Sequence, residues 1–470
     1  MQAQKFKKGE ILHNILFHDI SAEGLGIGKT NDGVVVFAEN VVPGDVADIQ
    51  ITKPKNNYIV GFPTQITKLS ESRTQPFCKH FGYCGGCKWQ HLSYPAQLTF
   101  KKKFVEDALT RIGKLSLENI ADSLPSENIK FYRNKLEFTF SNRKWIEPSQ
   151  FNKENIDYAP ALGFHIAGHY NKVIDITECY LQHDYSNQIK NFIREYALKN
   201  NLSFFDIKHQ AGFLRTLIIR NTTLNQWMVI LGIYEVLQDE LSLLLDSLLQ
   251  KFPFITSLYY AHLYQVNDSL NNGKLCLYKG SAYIEEQLGH LKFQISPNSF
   301  FQTNSLQAKI MYDKVLEYAD LKGNEIVYDL YCGTGTIGLY LAKKAKKIIG
   351  VEYIEAAVKD AKINADLNNI NNTEFFAGDI KNILNDEFIA AHGSPSVIVI
   401  DPPRAGLHED VVNKIIEIAP EKIIYVSCNP ASQARDLVFF SETYMVKNIQ
   451  PIDMFPHTTH AENIVLLKRK

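Results

Sequence analysis

Ile326-Val-Tyr-Asp-Leu-Tyr-Cys-Gly-Thr-Gly-Thr-Ile-Gly-Leu-Tyr-Leu-Ala342 decides the fold of this chain. An apolar run of β type stops at a glycine-rich turn, and apolar residues then recur at helical spacing, so the segment reads as strand, tight loop and helix. The order repeats downstream, where 348–351, 375–377 and 397–400 read as strands with helical stretches between them. Strands alternating with helices build a doubly wound, largely parallel sheet. Such sheets bind ligands beyond the carboxyl ends of their strands, where Gly333, Glu352, Asp401 and Cys428 all fall.

Toward the N-terminus the pattern changes. Short β-type runs at 34–37, 46–51 and 58–66 are separated by Gly24-Leu-Gly26-Ile-Gly28, Asp32-Gly33 and Pro43-Gly44, which predicts a small barrel. The polar stretch 70–76 has no periodicity and ends at Pro76, as a boundary does. Residues 94–113 read as a helix carrying Lys101, Lys102 and Lys103, with Phe104, Ala108, Leu109 and Ile112 as its apolar face. Between 130 and 290 strand-like and helix-like segments alternate irregularly, giving a middle α+β domain. A length of 470 residues agrees with about three domains.

Composition narrows the class. Hydrophobic residues at 45% and charged residues at 21% describe a folded protein, and a net charge of −1 excludes a globally basic nucleic-acid wrapper. Residues 71–150 nevertheless hold 13 Lys or Arg against 8 Asp or Glu. Lys101 to Lys103 and Tyr132-Arg-Asn-Lys135 leave a local basic face open, although each cluster by itself reads as solvated surface charge. No export signal opens the chain and no run approaches about 18 uninterrupted apolar residues, so a soluble, cytoplasmic protein without membrane contact is expected. Seven cysteines, an odd number, suit thiols, metal ligands or catalysis better than a disulfide framework.

The residues at the sheet edge suggest a chemistry. Gly333 and Gly335 let backbone approach a ligand, and Glu352, 19 residues after Gly333, can take the hydroxyls of a ribose. Asp401-Pro-Pro-Arg404 fixes an aspartate at a strand tip. A related Asp/Asn-Pro-Pro-aromatic turn serves methyl transfer to amino groups, and Arg404 departs from it. Cys428, delivered by the run 423–427 into Ser427-Cys-Asn-Pro430, reads as a nucleophile. Carbon 5 of uracil accepts a methyl group only after a thiolate adds at carbon 6, and a base must then remove the carbon-5 proton. Glu462 is the candidate base, with His457 and His460 as competitors.

Together Cys78-x5-Cys84-Gly-Gly-Cys87-Lys-Trp-Gln90, Phe300-Phe-Gln-Thr-Asn304, Asp329-Leu-Tyr-Cys-Gly-Thr-Gly335, Asp401-Pro-Pro-Arg404, Ser427-Cys-Asn-Pro430 and His460-Ala-Glu462 resemble the RNA 5-methyluridine methyltransferases. The match is nearest to the iron-sulfur bacterial 23S ribosomal RNA enzymes and spans nearly the whole chain. The resemblance implies a class I S-adenosylmethionine-dependent, Rossmann-like domain at 291–470, a middle domain at 69–290, and a TRAM barrel of oligonucleotide-binding type at 1–68. It makes Cys428 the nucleophile and Glu462 the base, and Gln302, Tyr331, Gly333, Gly335, Glu352, Asp379 and Asp401 contacts of S-adenosylmethionine. Where relatives carry a small amide residue after the glycine loop, this chain has Thr336, which is left unassigned. A monomer acting on RNA is expected.

The spacing of Cys78, Cys84 and Cys87 by itself leaves zinc, an iron-sulfur cluster or free thiols open. The resemblance adds Cys179 and implies a 4Fe-4S cluster, which would shape an RNA surface including Arg133 and Lys135. Cys276 and Cys332 read as packing residues. A target base would swing out of an RNA loop and could stack on Phe300 or Phe301. Ribosomal RNA is favoured because bacterial tRNA relatives generally lack both barrel and cysteine cluster. The alternatives are a tRNA uridine-54 methyltransferase, a non-catalytic iron-sulfur RNA-binding factor and an N-methyltransferase.

Overall fold

The computed structural model describes residues 6–118, 120–147, 158–265 and 270–470, so the first five residues of the stretch read for an export signal lie outside it. Among the described residues no helix is long and apolar enough to cross a membrane.

Strands β1 (Ile11–Ile20), β2 (Gly26–Lys29), β3 (Val35–Ala38), β4 (Val46–Pro54) and β5 (Tyr58–Lys68) close a barrel in the order β1-β2-β3-β5-β4. Alternation makes it: in β4, Ala47, Ile49 and Ile51 point inward with Phe17, Val36 and Ile59, while the residues between them stay partly exposed. Gly61 permits the closure, since a Cβ there would lie 2.4 Å from Ile49 Cγ2.

Helix α1 (Tyr94–Arg111) follows, and its buried stripe is Gln97, Lys101, Val105 and Leu109 at i+4 spacing. Of the face expected from the sequence, Leu109 is buried, Phe104 and Ala108 are half-buried and Ile112 is exposed. Val105 and Leu109 enter the core of the C-terminal sheet, so a helix that precedes the middle sheet in the chain packs on the catalytic one.

The middle unit is a seven-stranded sheet of β6 (Lys135–Ser141), β7 (Ala161–His165), β8 (Val173–Asp175), β9 (Leu214–Asn221), β10 (Trp227–Ile233), β11 (Ile255–His262) and β12 (Lys274–Gly280). Its order is β12-β11-β10-β9-β6-β7-β8. Helices α2 (Tyr185–Lys199) and α3 (Gln238–Lys251) bury Ile189, Ile193, Leu244 and Leu248 against it. A hairpin of β13 (Ile284–Leu288) and β14 (Leu291–Ile295) then joins the same core as α4 (Ser305–Ala319). The domain division expected at residue 290 falls in the turn of this hairpin.

The C-terminal sheet uses β15 (Ile326–Leu330), β16 (Lys347–Glu352), β17 (Thr373–Ala377), β18 (Val397–Ile400), β19 (Lys422–Ser427), β20 (Tyr444–Ile452) and β21 (Glu462–Arg469). Its order is β17-β16-β15-β18-β19-β21-β20. The first five strands run parallel, while β21 lies antiparallel to both β19 and β20. Helices α5 (Thr336–Ala342), α6 (Glu355–Leu367), α7 (Ile380–Ile383), α8 (Asp386–His392), α9 (Glu409–Ile418) and α10 (Pro430–Phe440) fill the crossovers. The near-continuous apolar strands are what a sheet covered on both faces requires. Five strand ends therefore open on one edge, which carries Tyr331 to Gly335, Glu352, Asp379, Asp401 and Cys428.

Candidate active site

The glycine loop coils by alternation, because Tyr331, Gly333 and Gly335 all have left-handed φ values of 63°, 54° and 78°. Glycine tolerates that region freely, whereas Tyr331 is strained there, as residues at functional sites often are. A Cβ on Gly333 would meet nothing within 4 Å, so the loop's outer side is open space. Gly333 N–H donates to Glu352 Oε2 (3.1 Å) and Ile354 N–H to Glu352 Oε1 (2.9 Å), which holds the strand-end carboxylate beside the loop. Beneath it Asp329 is fully buried: Oδ2 accepts Gly338 N–H at 2.8 Å, while Oδ1 has no hydrogen-bond partner among the described residues. Burial pushes Asp329 up to about 7, with Asp401 and Glu352 adding to the rise. An open glycine cradle with a carboxylate held beside it fits S-adenosylmethionine.

Other expected cofactor contacts differ in how they are held. Asp379 caps α7 by accepting Lys381 N–H at 3.2 Å. Gln302 comes from the segment before α4, where its carbonyl accepts Asn134 Nδ2 at 2.9 Å. The Thr336 hydroxyl is engaged with the Tyr312 hydroxyl at 3.0 Å, which accounts for that side chain inside the protein. Phe301 is only 6% exposed and packs on Phe293, so it belongs to the core, whereas Phe300 is 68% exposed and free to stack on a base.

Cys428 sits in the two-residue connection between β19 and α10. Asn429 N–H donates to Ser427 Oγ at 3.1 Å, and the Asn429 side chain caps α10 through Ala431 N–H while donating to the Arg404 carbonyl at 3.0 Å. The Asp-Pro-Pro-Arg turn and the thiol turn are thereby stitched together. Arg404 Nη2 donates to His460 Nδ1 at 2.8 Å. Burial, reinforced by Glu462 and Asp401, pushes the Cys428 thiol up to about 11, and Arg404 opposes the rise. Burial and the negative charge of Asp401 push Glu462 up to about 8, while burial raises Asp401 to about 7. Cys428 and Glu462 lie one step beyond the Ser427–Asn463 pair of β19 and β21, so thiol and carboxyl are neighbours and each disfavours the other's ionised form.

The competing histidines are held differently. His457 is buried beside Phe77, its N–H donates to Gln97 Oε1 at 2.8 Å, and burial holds it down to about 4. His460 is also held at about 4, by burial and then by Arg404. Both are neutral, and one is structural. Cys428, Arg404 and His460 open into a cavity of about 590 Å³ whose other walls are α1 (Lys103, Arg111) and the barrel edge at Asp19 to Ala22.

A second cavity, about 540 Å³, is lined by Cys78, Cys84, Cys87 and Cys179 together with Arg133 and Lys135. Among the described residues no group of three or more His, Cys, Asp or Glu side chains is placed to hold a metal ion. The four thiols surround a void instead. Burial pushes Cys84 up to about 11 and Cys87 and Cys179 up to about 12, with the other cysteines adding to each rise. Cys332 is buried and Cys276 lies half-buried on β12.

The Lys101 to Lys103 run is not a free cationic surface. Lys101 is wholly buried against Asp453, Lys102 pairs with Asp122, and Lys103 bridges Asp19 and Asp107. Neither Lys101 nor Asp329 was assigned a role from the sequence. The one signal for Lys101 was its i+4 register with Gln97, Val105 and Leu109.

Comparison with known proteins agrees with this geometry. Residues 271–470 match the family described as tRNA (Uracil-5-)-methyltransferase, and residues 6–61 match the TRAM domain. An uncharacterized RNA methyltransferase of Bacteroides thetaiotaomicron is 48% identical over 96% of this chain and 100% of its own length. One of Porphyromonas gingivalis is 45% identical over 96% and 98%. The structure of Pyrococcus abyssi tRNA (uracil-54, C5)-methyltransferase in complex with S-adenosyl-L-homocysteine superposes with a TM-score of 0.75 at 28% identity, covering 96% of this chain and 99% of that one. With Cys428, Glu462 and the glycine loop on one edge of this sheet, the chain belongs to the S-adenosylmethionine-dependent RNA (uracil-5-)-methyltransferase family with an N-terminal TRAM domain.

Proposed function

We propose that this enzyme methylates carbon 5 of a uridine in 23S ribosomal RNA through a covalent adduct on Cys428. The observation that carries the reading is the desolvated Cys428–Glu462 pair beside Asp401 at the cofactor edge. Bound S-adenosylmethionine supplies an electrophilic methyl group, with Tyr331, Gly333, Gly335, Glu352, Asp379, Asp401 and Gln302 as its contacts. Cys428, its thiol proton released to solvent, adds Sγ to carbon 6 of the uracil, and the former C5=C6 electron pair bonds carbon 5 to the methyl group as the sulfur–methyl bond of the donor breaks. Glu462 then accepts the carbon-5 proton. The C–H electron pair restores the C5=C6 bond, the C6–S bond breaks, and the thiolate leaves on Cys428.

Cys78, Cys84, Cys87 and Cys179 would hold a 4Fe-4S cluster, which ties the 78–87 loop to the segment around Cys179. Four desolvated thiols around one void suit a polynuclear cluster better than a single ion. No step of methyl transfer needs its electrons. Arg133 shares that cavity wall and lies over the Phe455 ring at 5.4 Å, so the cluster region abuts the catalytic loop.

A tRNA target is the second reading, favoured by the full-length likeness to the Pyrococcus tRNA enzyme. That likeness removes the barrel as a discriminator. Nucleoside mapping of 5-methyluridine in ribosomal RNA and tRNA, with and without this protein, decides between them: loss of one 23S site supports the proposal, and loss at tRNA position 54 alone overturns its target.

A further inference from the structure

Between β20 and β21 the chain runs from Asp453 to Ala461 and delivers Glu462. Almost every group in the first half of this connection is held from outside the sheet. Asp453 N–H donates to the Leu124 carbonyl at 2.9 Å, Asn304 Nδ2 to the Met454 carbonyl at 3.0 Å, and the Tyr132 hydroxyl to the Pro456 carbonyl at 3.0 Å. Lys88 and Trp89 N–H both donate to the His457 carbonyl, at 2.8 and 3.0 Å.

At the centre stands Lys101 of α1, with no exposed surface. Its ammonium donates to Asp453 Oδ1 at 2.5 Å and to the Phe455 carbonyl at 2.9 Å, and Asp453 Oδ1 also accepts Phe455 N–H at 3.1 Å. Tyr94, seven residues earlier on the same helix, donates its hydroxyl to Asp453 Oδ2 at 2.8 Å and accepts Ser126 N–H at 2.7 Å. Gln97, between them, grips His457. Three polar residues of one helix, two of them on its buried stripe, thus clamp one loop, and that loop ends at the candidate base. A buried ammonium is costly to desolvate, so a lysine here needs a return that a leucine packed on the same stripe would not give. Of the groups facing Glu462, Asp401 carries the same charge and Arg404 and Lys101 the opposite one.

We infer that Lys101, through Asp453, is a positioning residue for Glu462, so that α1 takes part in proton removal from carbon 5 while leaving thiol addition untouched. The inference rests on the reading of Glu462 as the base. The effect is expected on the last step: Cys428 is set by the 427–429 turn, and Arg404 meets the held connection only at His460, beyond the part that Lys101 and Asp453 bond.

The test compares wild type with the double variant Lys101→Met/Asp453→Leu, which replaces both charges by apolar groups, and with Tyr94→Phe, which removes one hydroxyl and keeps the pair. Unmodified transcripts of 23S ribosomal RNA and of tRNA serve as probes, with methyl-labelled S-adenosylmethionine. In the double variant a burst of about one methyl per enzyme is expected to survive as a denaturant-resistant protein–RNA adduct, while steady turnover falls at least 100-fold with RNA KM within about threefold. Tyr94→Phe should show the same pattern on a smaller scale. Wild-type turnover in both variants overturns the inference, and so does loss of burst and turnover in equal proportion. If wild type forms neither adduct nor 5-methyluridine on either transcript, the reading of the site itself has failed, which is a separate result.

Discussion

Proton removal by Glu462 should leave a measurable trace in the pH dependence of turnover. Burial and Asp401 hold this carboxyl at about 8 rather than near the ordinary 4.5, with Arg404 and Lys101 restraining the rise. The carboxylate form is then present in roughly one molecule in ten at pH 7 and one in a hundred at pH 6. Release of tritium from 5-tritiated uridine in RNA, followed after a single round of methyl transfer, should rise about tenfold per pH unit between 6 and 7 and level off above about 8. Glu462→Gln should slow release by roughly 10² to 10⁴ and accumulate a methylated protein–RNA adduct. A rate that is flat from pH 6 to 8 would refute the reasoning, because it would mean an ordinary carboxylate or a different base.

Cys428→Ala should abolish both adduct and 5-methyluridine, read by gel shift under denaturing conditions and by nucleoside mass spectrometry. Glu352→Ala should weaken S-adenosylmethionine binding by roughly 10- to 100-fold in calorimetry, the scale of one or two hydrogen bonds to a charged group, with RNA binding unchanged. Because Glu462 is raised, the unfolded chain gives up this proton first, so its contribution to stability declines as pH rises from about 4.5 to 8. Thermal melting of Glu462→Gln should therefore gain on wild type across that window. Cys84→Ser should remove the brown absorbance of the reconstituted protein and weaken RNA binding; normal binding and methylation by that colourless variant would exclude a role for the cluster in shaping the RNA surface.

Much of the fold was legible because parallel strands buried on both faces must be apolar runs and their ligand edge must follow them. The stretch 326–342 therefore announced the sheet, and Gly333, Glu352, Asp401 and Cys428 were placed on its edge by position alone. The barrel was equally legible from its turns. Other features depend on contacts between residues far apart in the chain, about which local pattern is silent. Lys101 belongs to a tract that reads as solvated charge, yet Asp453, 352 residues away, takes it into the interior. Phe300 and Phe301 are chemically identical neighbours, and only packing against Phe293 sends one into the core. Glu462 could be singled out from the sequence, but its raised proton affinity is a tertiary matter: it comes from burial beside Asp401, and a carboxyl group has that property only once other parts of the chain have excluded water from it.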